Sequence, residues 1–275
     1  RSSVWLNRLG DLEFRVNNNR ENAAIAYIDA MKIAPTVSQL LILNVLTRTE
    51  QSMPDLDLIA MARGVASQLH PAAKSIEAKS LMNLNRSREA VAAMEVSWGM
   101  YNTGIDRGWI PAISIVDWFV DLKPLFKNGP EEGERMARRL ASGKLTSEQQ
   151  YGLANFYKEY GVQYVDKTIA LIDESVNDSR TDTTMRANLL NLKGGYLVEV
   201  GKFEESKAVF KQLVEEFDSA LVLNNYAYVV GVYMNEPEEG LILAKKAAKK
   251  EKLPSHARLP HLSVACRGGR RPIRS

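Results

Sequence analysis

The sequence predicts an all-α protein, a solenoid of about seven antiparallel helix pairs. Three observations predict it. The stretch 187–220, ANLLNLKGGYLVEVGKFEESKAVFKQLVEEFDSA, reads as two amphipathic helices joined by a tight turn. That turn, GKFEES at 201–206, recurs as NNRENA (18–23), NRSREA (85–90), NGPEEG (128–133) and NEPEEG (235–240). No strand pattern is evident anywhere. Each turn has Asn or Gly to stop one helix, polar or acidic residues to start the next, and then a small residue. The last two copies begin thirty-four residues apart. Two of the earlier intervals are close to twice that period, which implies further copies near 52–59 and 161–170.

Within the central pair, Leu190, Gly194, Leu197 and Val198 share one face of the first helix. Gly201 can end that helix in a left-handed conformation without a Cβ clash. Glu204 and Glu205 then fall in the first turn of the next helix, where the positive end of its dipole favours carboxylates. Ser206 is small where the helices must approach, and Phe210, Leu213, Val214 and Phe217 supply the buried stripe. A single pair cannot bury both its faces, so it needs copies of itself on either side.

This spacing, W-x2-L-G-x2-Y…A-x3-F…P, is that of the tetratricopeptide repeat, and the chain resembles that family. Leu190, Gly194, Leu197, Ser206 and Phe210 match the pattern. Lys193 departs from it where an apolar residue is usual, and Asp218 stands in place of the closing Pro. One period on, Gly201, Ser206, Phe210 and Leu213 map onto Asn235, Gly240, Ala244 and Ala247. The stretch 223–240 is similar to the repeat as bacterial proteins often write it. The resemblance implies a right-handed superhelix whose first helices line a concave groove that holds an extended peptide or a partner's helix.

Taken in order, residues 3–36 keep the spacing with Leu6, Leu9, Gly10, Ala23, Tyr27, Ala30 and Pro35. Glu13 occupies the aromatic slot, as expected of an end unit facing solvent. A second unit is expected as helices over 37–50 and 55–69, closed by Pro71. The third starts near Ala72, with Ala78, Leu81, Ala90 and Met94 in register. Glycines and Pro111 then suggest an irregular insertion near 98–112, with Asn102 to Gly108 extended and Trp98 and Trp109 covering the seam. A fourth pair, 111–141, begins with an apolar helix around Ile113, Val116, Phe119 and Val120 that Pro124 should kink or end. TSEQ at 146–149 fits a capping box loosely and opens a fifth pair, with Leu153, Ala154, Tyr157 and Gly161 in register. Its second helix spans 162–178, before a polar linker at 177–184 and the two strongest repeats.

The register fails after Lys252. The array is therefore read as 1–254, followed at 255–275 by an irregular basic tail that is native, a reading-frame slip or an added end. That tail is expected to lack a packed helix. The seam of the last pair, with Tyr226, Val230 and Leu243, would then be open and prone to self-association. The chain begins at Arg1, without Met or an apolar signal region, and reads as an excerpt or processed piece of something longer.

Charge and chemistry narrow the function. The net charge is +3, but five arginines and no acid follow Pro254, and without them 31 basic face 33 acidic residues. So near-neutral a body makes a nucleic-acid binder an unfavoured reading. No apolar run is long enough to span a bilayer. The lone Cys266 excludes an intrachain disulfide, and nothing fixes a compartment. His256, His261 and Cys266 lack the close pairing of a zinc site. His70, beside Pro71, suits a helix end better than general-base work. Adjacent carboxylates such as Glu131–Glu132 and Glu238–Glu239 point about 100° apart on a helix and explain themselves through its dipole. Lys245, Lys246, Lys249 and Lys250 read as a solvated face near a helix end. No catalytic group, metal, cofactor or small-molecule substrate is expected.

The expected function is non-catalytic: a scaffold or adaptor holding a protein or peptide partner. Its groove would be lined by Asn7, Asp11, Phe14 and Arg15; by Tyr151, Asn155 and Lys158; by Asn188, Asn191 and Glu199; and by Asn225, Val229 and Tyr233. Asn, aromatic and charged groups suit hydrogen bonding to an extended backbone together with stacking. The Lys- and Arg-rich clamp that some family members use for a terminal carboxylate is absent. Two alternatives stay open: the scaffold region of a larger enzyme or secretion machine, and a helical-repeat RNA binder.

Overall fold

The computed structural model describes residues 2–34, 42–43, 55–65, 71–217 and 219–251. Among these residues the protein is all-helical, with thirteen α-helices and no strand. Contacts cluster into two units, Arg1–Phe156 and Tyr157–Ser275. The expected helix over 37–50 (apart from 42–43), His70 and the whole 255–275 tail lie outside the described residues.

The first unit opens with α1 (Ser3–Arg15) and α2 (Arg20–Ile33), then α3 (Asp55–Val65), α4 (Pro71–Asn83) and α5 (Ser87–Asp106). It continues with α6 (Ile115–Leu122), α7 (Pro130–Leu140) and α8 (Ser147–Lys158), the last of which runs past the unit boundary. Neighbours in sequence pack on each other: α1 on α2, α3 on α4, α4 on α5. Tyr27, Ile28, Leu43, Leu58, Ala62 and Ile76 form one buried cluster. Further along, Trp98, Trp118, Phe119, Phe126 and Phe156 form a second, mostly edge-to-face. Trp118 lies fully inside it and donates its Nε1 proton to the Met94 carbonyl at 3.1 Å.

The second unit comprises α9 (Val165–Val176), α10 (Thr183–Glu199), α11 (Phe203–Phe217), α12 (Ala220–Tyr228) and α13 (Pro237–Glu251). A π-helical turn, Val229–Tyr233, extends α12. The pairs α10–α11 and α12–α13 pack most extensively.

All five recurring turns hold one residue at positive φ: Asn18 (50°), Asn85 (59°), Gly129 (100°), Gly201 (79°) and Asn235 (58°). Asn and Gly tolerate that region best, which is why the hexapeptides share them. A sixth such residue, Gly161 (110°), lies in the copy implied near 161–170. The small residue closing each turn is buried in every copy: Ala23, Ala90, Gly133, Ser206 and Gly240. Its partner helix comes very close. A Cβ at Gly194 would lie 2.7 Å from the Phe210 ring, and one at Gly10 would lie 2.7 Å from Tyr27. Ser206 donates its hydroxyl proton to the Gly194 carbonyl at 2.8 Å.

Several sequence expectations need correction. The stretch 102–106 is not extended: α5 continues to Asp106, because Trp98, Tyr101 and Gly104 keep an inward face. The helix closes at Gly108 (φ 68°), where the Trp109 and Ile110 amides both donate to the Gly104 carbonyl. Trp98 is buried against Trp118 and Phe119, whereas Trp109 is 64 % exposed, with the Arg107 guanidinium 4.8 Å from its ring centroid. TSEQ is a full capping box, the Thr146 amide donating to Gln149 Oε1 and the Gln149 amide to Thr146 Oγ1. Pro71 begins α4 rather than closing a unit, since its missing N–H costs nothing at a first helical position. Tyr226 and Val230 are not an open seam. They are buried where Gly240 meets Gly231 so closely that a Cβ on Gly240 would lie 2.7 Å from the Gly231 Cα.

Candidate functional site

The residues expected to line a groove are best followed in the second unit. Asn191 on α10 and Asn225 on α12 stand thirty-four residues apart, and Asn225 Nδ2 donates to Asn191 Oδ1 at 2.9 Å. Residues thirty-four apart thus meet directly, one on α10 and one on α12. Lys158 reaches from the end of α8 to Glu199 Oε1 at 2.7 Å, and its ammonium lies 5.9 Å from the Tyr196 ring centroid. Tyr196 donates its phenol proton to the Gly161 carbonyl at 3.1 Å. Burial, and then the neighbouring Glu199 carboxylate, push the Tyr196 phenol above its ordinary range. Tyr233 stacks on Phe203 at 5.2 Å and meets Tyr228 edge-on at 5.5 Å. The π turn carries Tyr233, and such turns place one extra residue in a helix without breaking it.

Three expected groove residues are buried in the protein itself: Tyr151 (8 % exposed), Asn188 (6 %) and Val229 (3 %). Each sits on a helix whose neighbours cover more than one face, so the residue opposite the main seam is not free either. Burial also raises the Tyr151 phenol, against a smaller opposing effect from Asn155. In the first unit the remaining expected residues are engaged locally. Asp11 accepts a 2.8 Å hydrogen bond from the Tyr27 phenol, and Arg15 lies 4.0 Å from Asp11. Burial, and then that bond, push the Tyr27 phenol upward. Phe14 packs against the buried cluster around Tyr27, and Asn155 Nδ2 donates to the Tyr151 carbonyl at 2.8 Å. Asn7 is half-buried.

Sequence reasoning missed Phe203 and Tyr228, the ring neighbours of Tyr233, and Tyr196, which is buried with the Lys158 ammonium 5.9 Å from its ring centroid. The signal for Phe203 and Tyr228 was the placement of aromatics at the turn and one turn before its partner. Tyr196 carries no such signal, since its role depends on Lys158 arriving from another helix.

Among the described residues no group of His, Cys, Asp and Glu could hold a metal ion, and no described helix is long and apolar enough to cross a membrane. No protein-family model matches the chain, and neither does any curated protein.

Proposed function

We propose that the chain is a tetratricopeptide-like repeat array acting as a non-catalytic adaptor, and that it holds an extended peptide or partner protein on the Asn191–Asn225 face of its second unit. The hydrogen bond between those two side-chain amides carries the reading. It uses one donor of Asn225 and one acceptor of Asn191. An amide N–H pair on Asn191 and a carbonyl on Asn225 remain, the complement of the C=O and N–H that an extended peptide presents. Lys158 and Glu199 at one side, and Tyr233 with Tyr228 at the other, supply charge and stacking for side chains of the bound segment. The recurrent left-handed turn and buried small residue support the repeat architecture.

A displayed library of random peptides tests it. Peptides selected on the purified chain should bind the variant carrying Asn191→Ala, Asn225→Ala and Tyr233→Ala at least about tenfold more weakly, the loss of roughly one good hydrogen bond or stack. Helical circular dichroism should stay unchanged. Selected peptides that bind both proteins equally would place the site elsewhere, and turnover of any substrate by the chain would overturn the adaptor reading.

A further inference from the structure

One of the recurring turns differs from the others in its chemistry. Four of them open on Asn, at Asn18, Asn85, Asn128 and Asn235, and only Asn128 is followed by Gly. Asn128–Gly129 is the one Asn–Gly step in the chain, and no Asp–Gly step occurs. In the other three turns the Asn itself takes the positive φ, whereas here Gly129 does. The fold requires that glycine. As N-cap of α7 it holds φ 100° and ψ −177°, a region open essentially to glycine alone. Asn128 is thereby fixed beside a backbone nitrogen that no Cβ shields.

The step is also accessible. Asn128 is exposed, and its hydrogen bonds run to Glu132 Oε2, from the backbone amide at 3.2 Å and from Nδ2 at 3.4 Å. The Gly129 amide donates to the Phe126 carbonyl at 3.2 Å, the long end of the normal range, which is a weak restraint.

We propose that Asn128 is a spontaneous modification site, which loses ammonia through a cyclic imide with Gly129, and that the product loosens the start of α7. The Gly129 nitrogen bonds to Asn128 Cγ and the Cγ–Nδ2 bond breaks. The departing nitrogen leaves as ammonia, carrying the proton that the Gly129 nitrogen gives up. Water then opens the five-membered ring. Breaking the Cγ–N bond leaves aspartate at position 128. Breaking the bond from the main-chain carbonyl to that nitrogen leaves isoaspartate, whose main chain runs through Cβ and is one atom longer. Water is the only co-reactant, and the chain gains one negative charge.

That charge falls among others. A carboxylate replaces the Nδ2 that donates to Glu132, and Glu131 stands in the same first turn. The positive end of the helix dipole favours an anion, but two carboxylates already share it. The packing just beyond has little slack: a Cβ on Gly133 would lie 2.6 Å from the Phe156 ring and 3.3 Å from the Phe126 ring. A longer main chain between Phe126 and Gly133 therefore bears on the aromatic cluster around Trp118. The site lies in the first unit and stands whether or not the peptide face proposed above does.

Ageing the purified full chain at physiological temperature in mildly alkaline buffer, with tryptic peptides read by mass spectrometry, tests it. The peptide 128–135, bounded by Lys127 and Arg135, should convert at least about tenfold faster than the peptides carrying Asn85 and Asn235, whose following residues have a Cβ. An isoaspartyl carboxyl methyltransferase supplied with S-adenosylmethionine should label that peptide in the aged parent. It should leave the same peptide unlabelled in aged Asn128→Gln, where ring closure would need six members. Urea midpoints check the consequence: the aged parent should move down toward Asn128→Asp, while Asn128→Gln keeps its starting value on ageing. Conversion at Asn128 no faster than at Asn85 and Asn235 would overturn the site. A fully converted parent with the midpoint of the fresh protein would overturn the loosening.

Discussion

At the scale of single residues, two glycines do similar work against different obstacles. Gly194 faces the Phe210 ring, which can tilt, whereas Gly240 faces the Gly231 Cα and the Ala227 carbonyl oxygen at 3.0 Å, which are backbone. Gly194→Ala should therefore cost about 1–3 kcal/mol, in the range of ordinary overpacking, and Gly240→Ala more. Urea midpoints of the two variants check the order. Glu77 offers a test in pH. Its carboxylate is buried on α4, which by itself would raise its pKa. Hydrogen bonds from Lys74 at 2.6 Å and Arg63 at 2.6 Å outweigh that and hold it below the ordinary range. A lowered folded pKa gives stability that is fully present above the ordinary carboxylate value of 4.5 and is lost as pH falls through the lowered value. Glu77→Gln should thus be less stable than the parent at neutral pH, and its unfolding midpoint should fall less steeply on acidification.

At the scale of elements, the ends of helices were the most legible part of the sequence. A left-handed residue tolerates few side chains, so Asn18, Asn85, Gly201 and Asn235 announce their turns wherever they stand. The start of α8 follows the same logic, since Thr146 and Gln149 each satisfy the other's amide. Thr146→Ala should cost about 1 kcal/mol, the usual value of an N-cap, seen as a lower melting temperature. Helix faces were less legible. Val229 and Tyr151 are apolar or aromatic on helices that already have one buried stripe, and sequence periodicity does not reveal a second covering neighbour. The length of α5 was misread for a related reason: glycines at 99, 104 and 108 look alike in sequence. Gly104 is one of close packing, where a Cβ would lie 2.4 Å from Ile110 Cδ1, and only Gly108 is a turn. The bond between Asn191 and Asn225 could be suspected from their spacing, but its direction and length are tertiary facts.

At the scale of the whole molecule, burial is uneven within the first unit. Ten of the thirteen residues of α4 are buried, including Ser75, Glu77 and Lys79, whereas α1 buries only Leu6 and Gly10. Local opening follows such differences. Amide hydrogens of α4 should therefore exchange far more slowly than those of α1, by at least about a hundredfold if α1 opens separately, as mass spectrometry on peptides from each helix would report. The Asn225 to Asn191 bond has a consequence of another kind. It ties positions thirty-four residues apart, so it acts as a gauge of chain length. In the repeat array proposed above, a gene duplication that copied one whole cassette would slip a third asparagine between the two, and each amide would find a fresh neighbour. Such an array would lengthen by whole cassettes while keeping its stitching intact.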